Sequence, residues 1–115
     1  MRKLLKYYAK KFSYKQKKDL IEKTLAKLIE LVQPKKVILI GSATTQDFDE
    51  YSDIDLVLIF STKDEAQNSE KILYRNTTSF PTTVDFICVD EKKFEEKAAI
   101  GGIFFVAEKE GTRLL

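Results

Sequence analysis

Residues 41–60 read GSATTQDFDEYSDIDLVLIF, and the last eight of them decide the fold. The run Asp53-Ile54-Asp55-Leu56-Val57-Leu58-Ile59-Phe60 alternates polar and apolar at its start and is wholly apolar at its end. Such a run reads as a buried strand, yet aspartate is depleted in strands, so two of them at its start require compensation. Residues at i and i+2 lie on the same face about 6.5–7 Å apart, and carboxylates at that spacing can converge on one hard cation with oxygen ligands at ~2.1 Å. On these residues alone, two ordinary surface acids at an exposed strand end are an equal alternative.

Working outward, Val37-Ile38-Leu39-Ile40 shows no polar alternation and predicts a strand covered on both faces, which Gly41-Ser42 ends. Glycine allows close backbone approach there. Exposed N–H groups of the following turn, with the Ser42 hydroxyl, can hold phosphate oxygens, although Gly-Ser by itself is also simply a turn. Residues 43–52 are polar and acidic and predict a short helical turn and a loop. Upstream, Leu20, Ile21, Leu25, Leu28, Ile29 and Val32 follow helical spacing over residues 17–33, and Pro34 ends that helix.

Downstream, residues 63–76 predict a helix with Ala66, Ile72 and Leu73 inward and Asp64 and Glu65 in its first turn. After Pro81, residues 83–89 predict a third strand. Residues 91–99 and 102–110 predict two short helices broken at Gly101-Gly102, with Gly111 as a C′ cap. Leu4, Leu5, Tyr8 and Phe12 share a face that would add an N-terminal helix. Asp85 is the one acid inside the third strand, where an unpaired buried carboxylate would be costly. A third strand beside the second would bring Asp85 to Asp53 and Asp55 on one face; a strand-edge acid paired with a nearby Lys is the plainer alternative. The order α-β-turn-β-α-β-α-α indicates an α/β (α+β) domain, a small mixed sheet with helices packed against it.

Composition narrows the chemistry. The chain has 115 residues, no His and a single Cys, Cys88. Without histidine there is no Ser-His-Asp or Cys-His catalysis, and with one thiol no disulfide within the chain and no Cys/His zinc cluster. Cys88 reads as a small core hydrophobe, and the tyrosines and Phe104-Phe105 as packing residues. Eight of the 20 Lys and Arg lie in residues 1–18, which contain no acid, so the other 12 bases face all 18 acids in the rest of the chain. This suggests a basic arm or helix, 1–16, ahead of a single domain, 17–115. The arm reads as a solvated helix face or as a phosphate-binding or docking surface. No apolar run approaches the ~20 residues needed to span a bilayer, and a cytoplasmic protein with no membrane partner is expected.

With Gly-Ser, ten intervening residues and Asp-x-Asp inside Ser-Asp-Ile-Asp-Leu, residues 41–60 resemble the signature of the DNA polymerase beta-like nucleotidyltransferases. The small size resembles the minimal nucleotidyltransferase (MNT) branch, and the likeness extends to residues 17–40 and to the third strand with Asp85. The resemblance implies that Gly41 and Ser42 touch nucleotide phosphates, that Asp53, Asp55 and Asp85 are catalytic and bind Mg²⁺ or Mn²⁺, and that Asp85 helps activate the acceptor hydroxyl. It further implies transfer of a nucleoside monophosphate, commonly AMP from ATP. The acceptor would be a tyrosine of a HEPN-domain toxin, with this chain the antitoxin of a type VII-like toxin–antitoxin pair. The chain departs from the pattern at Gln46, where the family usually has glycine, and in a loop made acidic by Asp47, Asp49 and Glu50. No Lys or Arg occurs between Lys36 and Lys63. Two other functions therefore stand beside transfer: an antitoxin of the same fold acting by binding alone, and, ranked last because the body is acidic, a small nucleic-acid-binding protein using the arm.

Overall fold

A computed structural model describes residues 12–45 and 53–115. Its apolar runs form β1 (Lys36–Ile40), β2 (Ile54–Phe60) and β3 (Val84–Asp90), joined by a two-residue β4 (Thr112–Arg113) in one sheet of order β3-β2-β1-β4. β1 is antiparallel to β2 and to β4, while β2 and β3 are parallel. The sheet is thus mixed, as the fold class anticipated.

Four helices accompany the sheet among the described residues: α1 (Tyr14–Leu31), α2 (Lys63–Arg75), α3 (Glu91–Ala98) and α4 (Ile103–Glu110). Because side chains alternate along a strand, each central strand feeds two cores. Val37, Leu39, Leu56, Leu58, Val84 and Phe86 join Leu28 of α1 and Ala66 and Leu73 of α2 on one face. On the other, Ile38, Ile40, Val57, Ile59 and Val89 meet Ala107 of α4, with Phe94 and Phe104 packed alongside. The absence of polar alternation in β1 is therefore a consequence of two covered faces. Each large side chain fully buried here contributes roughly 1.5–3 kcal/mol.

Several local expectations shift by a turn or a face. α1 begins at Tyr14 rather than residue 17, because Ser13 and Gln16 form a reciprocal capping box. Lys15, Lys17 and Lys18 of the basic stretch are accordingly part of this helix, while residues 1–11, with Leu4, Leu5 and Tyr8, lie outside the described residues. Phe12 packs against the first core. Ile29 is half exposed, and the inward position is taken by Thr24, whose hydroxyl donates to the Leu20 carbonyl at 2.8 Å. In α2 the inward residues are Ala66, Ser69 and Leu73, and Ile72 points outward, since it sits about a quarter-turn from that stripe. Asp64 and Glu65 do occupy the first turn, which Thr62 caps. Phe104 is half-buried in the second core, but Phe105 is exposed, so only one of the pair anchors α4.

Gly111 does end α4 as its cap, its N–H donating to the Ala107 carbonyl at 3.1 Å, but at φ −71° it is not left-handed. Glycine is needed there for space, because a Cβ would run into the Ile38 methyl and the Ala107 carbonyl. This close approach lets the chain turn directly into β4, a strand too short and too exposed to be read from sequence. Gly111→Ala is expected to lower stability by about 1–3 kcal/mol through overpacking, measured by urea unfolding. A change within 0.5 kcal/mol would mean that the β1/β4 seam yields freely.

Candidate active site

Strand register assembles the site. Asp55 lies opposite Asp85 in the parallel β2/β3 ladder and opposite Ile40 in the antiparallel β1/β2 ladder. Residues paired across a ladder share a face, so the two carboxylates stand side by side. Asp53 lies immediately before β2, and its charge is felt at Asp55. Asp55 and Asp85 end the apolar stripe formed by Val57, Ile59 and Val89.

Their mutual repulsion is visible at Asp55, whose carboxyl is held above its ordinary value of 3.8, first by burial, then by the charge of Asp85, then by that of Asp53. Among the described residues no Lys or Arg forms an ion pair with any of the three. The plainer reading of Asp85 as an acid paired with Lys is thereby replaced. Asp85 does lie on an edge strand, but its partner is the Tyr74 hydroxyl, which donates to Oδ1 at 3.1 Å.

Gly41 packs directly against this group. It has φ +75°, a conformation L side chains rarely adopt, and a Cβ there would stand 2.6 Å from Asp55 Oδ2. Glycine at the end of β1 thus gives Asp55 its space. The chain then enters a single 3₁₀ turn, Gly41–Thr44, closed by the Thr44 hydroxyl on the Gly41 carbonyl at 2.7 Å. The sequence predicts a helical turn within residues 43–52; the one found starts two residues earlier, at Gly41, and ends at Thr44. The Ser42 side chain and residues 46–52, including Gln46 and the acidic loop, lie outside the described residues.

Two residues outside the predicted site set contact its parts, Tyr74 at Asp85 and Lys17 at the end of the glycine turn. Tyr74, read as packing, does set its ring edge-on against Phe86, with centroids 5.9 Å apart, but its hydroxyl serves Asp85. Lys17 of α1 extends its ammonium to the Thr45 carbonyl at 2.9 Å, at the end of the glycine turn. A cation thus arrives from 28 residues upstream, beside a segment with none of its own. Neither contact leaves a local signal, since each depends on how a helix docks against the sheet. Cys88 behaves as expected of a core thiol: burial, aided by the charge of Glu70, pushes its pKa up to about 12, which keeps it neutral and unreactive.

The donor set is chemically suited to a hard divalent cation. It is all carboxylate oxygen, crowded with like charge and without a cationic partner among the described residues. Only Asp55 and Asp85 are paired in register, and among the described residues no three Asp, Glu or Cys side chains form a group placed to hold a metal ion. The same residues present no helix long and apolar enough to cross a membrane.

A small mixed sheet with in-register carboxylates on its parallel pair, beside a glycine turn, has the architecture of a nucleotidyltransferase fold. The nucleotidyltransferase domain family model matches residues 21–109, and the chain belongs to this family. A search of curated proteins and of solved structures returned no match. The family establishes nucleotidyltransferase-type function, and such domains generally use a nucleoside triphosphate and a divalent metal.

Proposed function

We propose that this chain transfers AMP from ATP, with Mg²⁺ or Mn²⁺, to a tyrosine hydroxyl of a partner HEPN-domain toxin, as the antitoxin of that pair in the minimal nucleotidyltransferase branch. The observation that carries the chemistry is the register pairing of Asp55 with Asp85, with Asp53 two residues before Asp55. A divalent cation held by Asp53 and Asp55, with Asp85 as third ligand, would offset the charge of the transferring phosphoryl group. Gly41 and Ser42 take the phosphates through backbone N–H groups and the hydroxyl. Asp85 accepts the proton of the acceptor hydroxyl as its oxygen attacks the α-phosphorus. The bond from that phosphorus to the bridging oxygen breaks, and pyrophosphate leaves.

The branch is supported by the Gly-Ser/Asp-x-Asp spacing of residues 41–55, and the partner follows from that branch. Incubation with labelled ATP, Mg²⁺ and the co-encoded partner is expected to label the partner on tyrosine. Absence of label, or label unaffected by Asp53→Ala plus Asp55→Ala, would overturn the proposal. The lack of any Lys or Arg between Lys36 and Lys63 favours one competing reading, neutralisation by contact alone. Under that reading the double variant still protects cells from the partner; under transfer it does not.

A further inference from the structure

We propose that Tyr74 is a positioning residue that fixes the Asp85 carboxylate for the chemistry of this site; the inference rests on the three-aspartate reading above. Asp85 is exposed on the outer strand of the described sheet, with Asp55 beside it in register and, among the described residues, no strand on its other side. Left to itself, an exposed carboxylate next to two like charges swings into solvent, where its charge is best screened. Tyr74 opposes this. From α2 it crosses the open edge of β3, and its hydroxyl lies 3.1 Å from Asp85 Oδ1 and 3.0 Å from the Phe86 carbonyl oxygen, so one proton is shared between two acceptors on consecutive residues.

The hydroxyl is itself held from behind. The Tyr74 ring stands edge-on to Phe86, and Phe86 is buried and packed on Phe80, with centroids 5.1 Å apart. The last turn of α2 is closed by the Asn76 side chain donating to the Ile72 carbonyl at 2.7 Å. The first core thereby dictates where the hydroxyl sits, and the hydroxyl dictates where Asp85 sits. Oδ1 is engaged, while Oδ2 has no hydrogen bond among the described residues and is left for a cation or an acceptor proton. Partners of this kind behind a ligand carboxylate typically govern metal affinity and rate by ~10–100-fold.

Tyr74→Phe keeps the ring and removes only the hydroxyl. Wild type, Tyr74→Phe, Asp85→Ala and the double variant are compared by Mn²⁺ titration calorimetry, melting temperature and steady-state transfer. The single Phe variant is expected to bind Mn²⁺ about tenfold more weakly and to lose about 10–100-fold in kcat, with nucleotide KM within about twofold and folding retained. It should add no further loss in the Asp85→Ala background. Wild-type values for Mn²⁺ and kcat in Tyr74→Phe, or an equal loss with and without Asp85, would overturn the inference while leaving the transferase reading intact. If the wild type binds Mn²⁺ but transfers nothing, the transferase reading fails, and the Mn²⁺ ratio alone decides the role of Tyr74. A wild type that binds no Mn²⁺ overturns both.

Discussion

Asp55→Asn is expected to abolish transfer and, in the same protein, to raise the melting temperature of the metal-free fold at neutral pH. Loss of transfer follows from removing the central member of the acidic group, the one paired in register with Asp85 and packed on Gly41. Charge stabilisation by a bound cation is worth several kcal/mol in such reactions, so a loss of about 10³-fold or more is expected. The gain in stability follows from linkage. The Asp55 carboxyl is raised above 3.8 by burial and by Asp85 and Asp53, so protonating it costs less in the folded state than in the unfolded chain. A group raised in this way contributes stability that is complete below 3.8 and is lost as pH rises through its folded value. At neutral pH the ionised side chain therefore opposes folding, and the isosteric amide relieves the repulsion. Melting curves of the two proteins without metal should converge in acid and separate above the Asp55 titration. A lower melting temperature for Asp55→Asn at pH 7 would show that a favourable contact, not repulsion, dominates at this position.

Gly41→Ala is expected to cost both stability and transfer, and a matched control separates the two. The backbone at φ +75° is strained for alanine by about 1–2 kcal/mol. The new methyl would also stand 2.6 Å from Asp55 Oδ2, and a carboxylate at the end of a side chain can move away. Relief therefore comes at the expense of the site, where a displacement of ~1 Å can reduce rate about 10²-fold. Gly102, ahead of α4 at φ +78° and ψ −159° with nothing within 4 Å of a built Cβ, is likewise in a conformation that strains alanine, but no carboxylate lies against it. Urea unfolding should show a loss for both Gly41→Ala and Gly102→Ala, whereas transfer per folded protein falls only in the first. Equal transfer by the two variants would mean that Asp55 tolerates displacement.

The three long strands and the helices other than the N-terminal start of α1 were legible because their signals are local. A branched apolar run without alternation needs two covered faces, and apolar residues at helical spacing need one. The errors share one cause. Ile29, Ile72 and Phe105 are apolar residues next to an inward stripe, and periodicity alone cannot say where the stripe ends. The capping box Ser13-x-x-Gln16 was readable and extends α1; the two-residue β4 was not, since it exists only because Gly111 fits against Ile38.

The carboxylates divide in the same way. The sequence alone placed Asp53 and Asp55 at the i, i+2 spacing of one strand face at the start of an apolar run and put Asp85 inside another strand, because period-two geometry is a property of the backbone. Only the tertiary structure decided that β3 lies parallel to β2 with Asp85 opposite Asp55, that Gly41 leaves room for that carboxylate, and that Tyr74 and Lys17 arrive from two different helices. Those relations join residues far apart along the chain. They are set by which apolar faces bury one another and by hydrogen bonds that form only after the faces have met, so no single segment carries their signal.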